Sequence, residues 1–179
     1  GIMLPDSIRH LKGKELKNAI PDKIYISLKD MRILTKVDML MLEMLANCNW
    51  ERPLYMAISV GEVSKLKFDH YFVQEGLAFR FTPFDYKKWG NVKGDNNYAI
   101  DVERLYENVM NRYKYGGLDT PGLYLDETTL RTCYYHRRLF AQLAKELIRQ
   151  GDNTRARKVL AYAEQAVPAY NVPEIYESG

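Results

Sequence analysis

The residues best suited to chemistry in this 179-residue chain are few and fall in two short stretches. Asn49, Trp50 and Arg52 sit together just before Pro53, and Glu75 and Arg80 lie about two dozen positions on. An indole and two guanidinium groups at strand edges can stack on a sugar ring or clamp an anion. The same residues have a structural use. Arg52 or Arg80 can pair with Glu75 and lock a sheet to its helix, and this is the favoured reading. The three histidines, His10, His70 and His136, lie far apart, and none has a partner at metal-ligand spacing. Asp69, His70 and Glu75 are the nearest approach to an acid–base cluster, and read as ordinary surface chemistry. Cys48 and Cys133 are 85 positions apart and both lie on helical apolar patterns, so each reads as a small core residue. The chain carries no glycine-rich phosphate loop, no Gly-x-Ser-x-Gly elbow and no Cys-x-x-Cys pair. No catalytic residue, no metal site and no cofactor is expected.

The bulk composition narrows the classes further. Hydrophobic residues make up 46% and charged residues 27%, which suits a globular protein. The net charge of +3 is too small and too dispersed for the clustered basic footprint of a nucleic-acid binder. The densest apolar run, residues 39–46, is interrupted by Glu43 and is far short of the ~18 residues that span a bilayer. There is no signal peptide. Opening on Gly1 with no initiator Met, the chain reads as a fragment of something longer.

The elements that must position these residues follow from hydrophobic period. Residues 1–22 carry breakers at Pro5, Gly13 and Pro21 and read as an entry arm. In residues 23–29, Ile24, Ile26 and Leu28 alternate with Tyr25 and Ser27, the pattern of a half-buried strand. Thr35 and Asp38 mark a helix start, with Leu34 and Met39 as its staple. Val37, Leu40, Met41, Met44, Leu45 and Cys48 then recur at helical spacing, and Met39 and Leu42 make the helix apolar nearly all round, so deep burial is expected. The run 54–60 reads as a central strand, which predicts a parallel βαβ pair with a right-handed crossover. Leu77, Phe79 and Phe81 alternate through a third strand, and residues 85–98 read as a polar surface loop. Asp101 and Asp126 each cap a further helix. The expected class is therefore α+β (mixed). A small three-stranded sheet with a βαβ unit occupies 23–100, and an all-helical region follows over 101–179.

That region ends in a helical hairpin over residues 140–168. Laid on the 34-residue tetratricopeptide pattern, Phe140 takes the tryptophan place, followed by Leu143, Ala144 and Leu147. Gly151 takes the turn, and Ala156, Leu160, Ala163 and Pro168 take the remaining positions. The three alanines permit close helix approach, and Gly151 supplies a left-handed turn. The preceding 34 residues fail the second half of the pattern, so one repeat, over about 137–170, is expected, packed on the domain before it. In this repeat family the inner face of the first helix carries ligand contacts. Here that face is Arg138, Ala141, Lys145, Ile148 and Arg149, extended by Arg131, and it suits an acidic peptide, a terminal carboxylate or lipid headgroups. A solvated helix face is the plainer alternative.

Two segments carry a resemblance. Residues 45–57, Leu-Ala-Asn-Cys-Asn-Trp-Glu-Arg-Pro-Leu-Tyr-Met-Ala, resemble an Asn-Asn-Trp-x-Arg-Pro-Ile-Tyr-Phe motif, and residues 71–80 resemble a Tyr-Phe-x-x-Glu-Gly-Leu-Ala-Tyr-Arg segment. Leu125, Asp126, Glu127 and Thr128 fit as well. These belong to a family of large membrane proteins of Gram-negative bacteria, of unknown function and related to protein O-mannosyltransferases. Cys48 stands where that family usually has Asn. The resemblance covers roughly 20–179. It implies the C-terminal domain of a membrane glycosyltransferase, on the periplasmic side of the inner membrane, whose catalytic carboxylates lie in the polytopic N-terminal half. The implied role is non-catalytic: interaction with a protein partner, or bracing of the membrane-embedded half. The alternative is glycan or acceptor binding that contributes to transferase specificity.

Overall fold

The structure is a computed structural model describing residue 4 and residues 9–26, 33–48, 52–60, 68–88 and 98–173. It divides into two compact units, Gly1–Asp101 and Val102–Gly179. The class is mixed α+β, with the second unit helical.

In the first unit, α1 (Gly13–Ala19) precedes α2 (Lys36–Ala46). The start of α2 is the capping box that Thr35 and Asp38 lead one to expect. The Asp38 N–H donates to Thr35 Oγ1 at 3.2 Å, and the Thr35 N–H donates to Asp38 Oδ2 at 2.8 Å. Deep burial of α2 is not found. Asp38 is its buried residue, while Val37, Met39, Leu40 and Met44 face solvent. Met41, Leu42 and Leu45 cover the core, so the helix is one-sided despite its apolar circumference. Cys48, beyond its end, is half-buried rather than in the core, whereas Cys133 is buried; both thiols are free.

The sheet has four strands: β1 (Tyr55–Ala57), β2 (Phe72–Gln74), β3 (Ala78–Phe81) and β4 (Ala99–Ile100), in the order β1-β3-β2-β4. β3 pairs antiparallel with β1 and β2, and β4 runs parallel to β2 with Val73 opposite Ala99. The run 54–60 thus supplies a three-residue edge strand, not a central one. Its apolar character reflects contact with the core on one face, through Leu54, Met56 and Ile58, rather than burial on both. The expected strand at 23–29 forms no ladder where it is described. Ile24 and Ile26 pack against the core without pairing, and residues 27–32 lie outside the described residues. The predicted parallel pair with 54–60 is accordingly not seen among the described residues.

Among the described residues of this unit two clusters form the core. Phe68, Tyr71, Phe72, Phe79 and Phe81 form one; Val73, Phe84, Tyr86 and Ala99 form the other, with Leu11, Leu16 and Ala19 of the N-terminal segment packed on it. Tyr86, read as part of a polar loop, is fully buried, and its main-chain N–H donates to the His70 carbonyl at 2.9 Å. A buried aromatic two residues past Phe84 is what converts the start of that loop into core.

In the second unit, α3 (Val102–Glu107) runs into a π-helical turn (Asn108–Arg112), burying Val102, Leu105 and Val109 as their spacing predicts. α4 (Glu127–Arg149) begins where the Asp126 carboxylate accepts the Thr128 and Thr129 N–H groups at 2.9 and 3.1 Å. Gly151, at φ +83°, turns the chain, and Asp152 caps α5 (Asn153–Ala166). α4 and α5 form an antiparallel hairpin, because Arg137 of α4 donates to the carbonyls of Val167 and Val172 beyond the far end of α5. Leu139, Phe140, Leu143, Ala144 and Leu147 bury one face of α4, and Ala156 and Val159 the facing side of α5. Leu160, assigned to a bulky inward position, is instead 48% exposed, and Val159 fills the seam.

Candidate functional site

Two members of the first candidate group, Glu75 and Arg80, meet at the β2–β3 hairpin. Glu75 and Arg80 sit on its two arms, where the Glu75 N–H donates to the Ala78 carbonyl at 3.1 Å and Gly76 adopts φ +150°. The Glu75 side chain is buried, and its Oε1 lies 3.7 Å from the Arg80 guanidinium. Tyr55, directly opposite Arg80 on β1, donates its hydroxyl to Glu75 Oε2 at 3.1 Å. Arg80 also lies 6.0 Å above the Tyr55 ring. The carboxylate is thus held between a phenol and a guanidinium from two neighbouring strands, which ties β1 to the hairpin. Arg52 stands apart from this group, exposed before β1. Asn49 and Trp50 lie outside the described residues.

This arrangement matches the structural use of Glu75 and Arg80 more closely than a ligand clamp, since each charge already meets the other. Tyr55 is the member that sequence reasoning missed. The signal was available: on a strand paired in register, it sits three residues beyond Arg52 and faces the alternating residues of β3. Below the sheet, Tyr86 is buried, and loss of water holds its phenol protonated far above the usual tyrosine range. His70 turns to another carboxylate, its Nε2 being 3.7 Å from Asp85 Oδ2.

The second candidate is the outer face of α4. Arg131, Arg138, Ala141, Lys145, Ile148 and Arg149 are all exposed and follow one another at helical spacing on the side opposite the buried stripe. Two of the cations are engaged. Arg149 Nε donates to Glu146 Oε2 at 2.8 Å, and Arg131 lies 3.4 Å from Glu127 one turn back. Glu146, buried and three residues before Arg149, was the overlooked partner; its i,i+3 spacing was legible. Arg138 and Lys145 form no ion pair among the described residues. The face therefore presents two uncompensated charges flanking Ala141, with Ile148 beside them. Its chemistry is attraction of anionic groups with modest apolar contact, weakened by salt.

A third feature, unmarked by any motif, is a cavity of about 240 Å³ in the helical unit, between residues 114–125 and the N-terminal half of α4. His136 lines it, gripped edge-on by Tyr113 and Tyr115 at ring distances of 5.9 and 5.2 Å. Burial pushes its imidazole pKa below the ordinary histidine value.

No group of three or more metal-ligating side chains comes together among the described residues. No helix among them is long and apolar enough to cross a membrane. A family model described as TMEM260-associated domain 2 matches residues 7–103, which covers nearly all of the sheet-bearing unit and the first two residues after it. No curated protein and no solved structure matches the chain.

Proposed function

The chain belongs to the TMEM260-associated domain 2 family, and from that premise we propose that it is a non-catalytic accessory domain of a TMEM260-like membrane protein, acting by binding. The match covers the sheet-bearing unit, while the surface best suited to binding lies on the helical one. The reading assigns the outer face of α4 to an acidic segment, either of a protein partner or of the membrane-embedded half of its own protein. It places the domain on the periplasmic side of the inner membrane, in keeping with the resemblance of residues 45–57 and 71–80 to the bacterial mannosyltransferase-related family.

The observation that carries this reading is the pair Arg138 and Lys145, solvent-facing and without counter-charge among the described residues, on a helix that buries Leu139, Phe140, Leu143, Ala144 and Leu147 on its opposite side. Each exposed contact with a carboxylate contributes about 0.2–1 kcal/mol, so several must act together and the binding must fall with added salt. Charge reversal at Arg138 and Lys145 should abolish retention of the chain by detergent-solubilised membranes of its source cells. Retention that is unchanged by the double reversal, or insensitive to salt, would overturn the assignment.

The glycan-binding alternative has less support, because Glu75 and Arg80 are engaged with each other and with Tyr55. Its test is separate: a glycan array whose signal disappears in Trp50→Ala would favour it, and a flat array from folded protein would remove it.

A further inference from the structure

The cavity beside α4 has two chemically distinct walls. One wall is apolar, made by the buried Leu118, by Leu125 and by the Tyr115 ring, whose hydroxyl is already committed to the Val109 carbonyl at 2.7 Å. The other wall is polar and belongs to α4: Thr129, Thr132 and His136, spaced three and four residues apart along one side of the helix. Both threonine hydroxyls spend their protons locally. Thr129 Oγ1 donates to Asp126 Oδ2 at 2.6 Å, and Thr132 Oγ1 donates to the Thr128 carbonyl at 3.2 Å. Their remaining capacity is as acceptors. His136 presents its ring to the space, but its Nδ1 is sealed from solvent, so the acceptors that a ligand can reach are the two threonine hydroxyls.

Cys133 also lines the space, but burial raises its thiol pKa, so it stays protonated and serves as a soft apolar surface rather than a nucleophile. The volume is a little below the roughly 300–1,000 Å³ of pockets for drug-sized ligands. It therefore suits one ring with a substituent.

From this geometry we infer that the cavity is a binding site for an aromatic ring bearing a hydrogen-bond donor, a phenol or an indole. The ring lies against Leu118, Leu125 and Tyr115, and the O–H or N–H is received by the acceptors on α4. The chemistry is that of a tyrosine or tryptophan side chain, or of a free small aromatic. The half-exposed Leu123, which also lines the cavity, gives such a ring further apolar surface.

The test is a titration of the full chain with p-cresol, toluene and N-acetyl-tyrosinamide, followed by the NMR resonances of His136 and of Thr132. p-Cresol should shift both saturably, with Kd on the order of 1 mM, and bind about tenfold tighter than toluene. Thr132→Phe, which fills the space from an exposed helical position, should weaken p-cresol at least about tenfold while the helical circular dichroism is retained. Should that variant lose helix, Leu123→Ala, in a half-exposed loop position, should still weaken p-cresol binding. N-acetyl-tyrosinamide binding as tightly as p-cresol supports a side chain of a protein as the source; its exclusion supports a free small aromatic. No saturable shift with a folded chain, equal affinity for toluene and p-cresol, or full binding in a folded Thr132→Phe or Leu123→Ala would overturn the inference.

Discussion

Arg155 Nη1 reaches across the helical unit to both carboxylate oxygens of Glu103, at 2.9 and 2.8 Å, although the two residues are 52 positions apart. The same guanidinium holds Asp152 Oδ2 through its Nε at 2.6 Å and lies 5.4 Å over the Tyr106 ring. One arginine at the first turn of α5 thereby joins the cap of its own helix to α3. Holding two carboxylates through Nε and Nη1 of one planar group, over a ring, is a use that a lysine cannot reproduce. A double-mutant cycle on Glu103→Ala and Arg155→Ala, read by urea unfolding, should give a coupling of about 0.2–1 kcal/mol, because the carboxylate is largely exposed. The coupling should shrink in high salt, and Arg155→Lys should not restore it.

A larger effect is expected at the hairpin. Arg80→Ala leaves the Glu75 carboxylate buried without its guanidinium, and should destabilise by about 3 kcal/mol. Tyr55→Phe removes a single hydrogen bond and should lose about 1 kcal/mol. Urea unfolding of both variants checks the order, which would be reversed if Arg80 served chiefly to hold a ligand at the surface.

Stability should also depend on pH through His136. Its folded pKa lies below the ordinary 6.5 because burial disfavours the imidazolium. The unfolded chain therefore binds the proton first as pH falls. Stability is fully present above about pH 6.5, declines below it, and continues to decline until the folded pKa is passed. The urea midpoint measured across that range should fall more steeply for the wild-type chain than for His136→Gln.

The outward face of α2 makes a contrasting prediction. Leu40, 60% exposed, should tolerate Leu40→Gln with a change within about 0.5 kcal/mol. Leu105, fully buried on α3, should lose about 2–5 kcal/mol on Leu105→Ala. Thermal melts of the two variants separate a solvent-facing α2 from the buried helix that its composition suggested.

What could be read from the sequence was local. The caps at Thr35 and Asp126 depend on side chains meeting main-chain groups two or three residues away, and both form. The stripes of α3 and α4 likewise follow from helical period, as does the exposed line from Arg131 to Arg149. Glu75 was legible as a partner for Arg52 or Arg80, and the hairpin brings it to Arg80.

What went unread depended on partners distant in the chain. Residues 54–60 are apolar enough for a central strand, yet the sheet order puts them at the edge, and no period-two pattern reports which neighbours a strand acquires. β2 is too short to show alternation, and β4 is two residues long. The cavity has no motif because its walls come from a loop and a helix face that only packing brings together.

By itself, then, the sequence of this chain determined its caps, its helical turn at Gly151, its mixed class and its cationic helix face, since each depends on interactions within a few residues or on a single period. The tertiary structure alone decided which side of α2 meets water, which strand is the edge, and that Glu75 rests between Tyr55 and Arg80. Those outcomes depend on which apolar surfaces compete for the same core, and that competition is settled only when the chain packs.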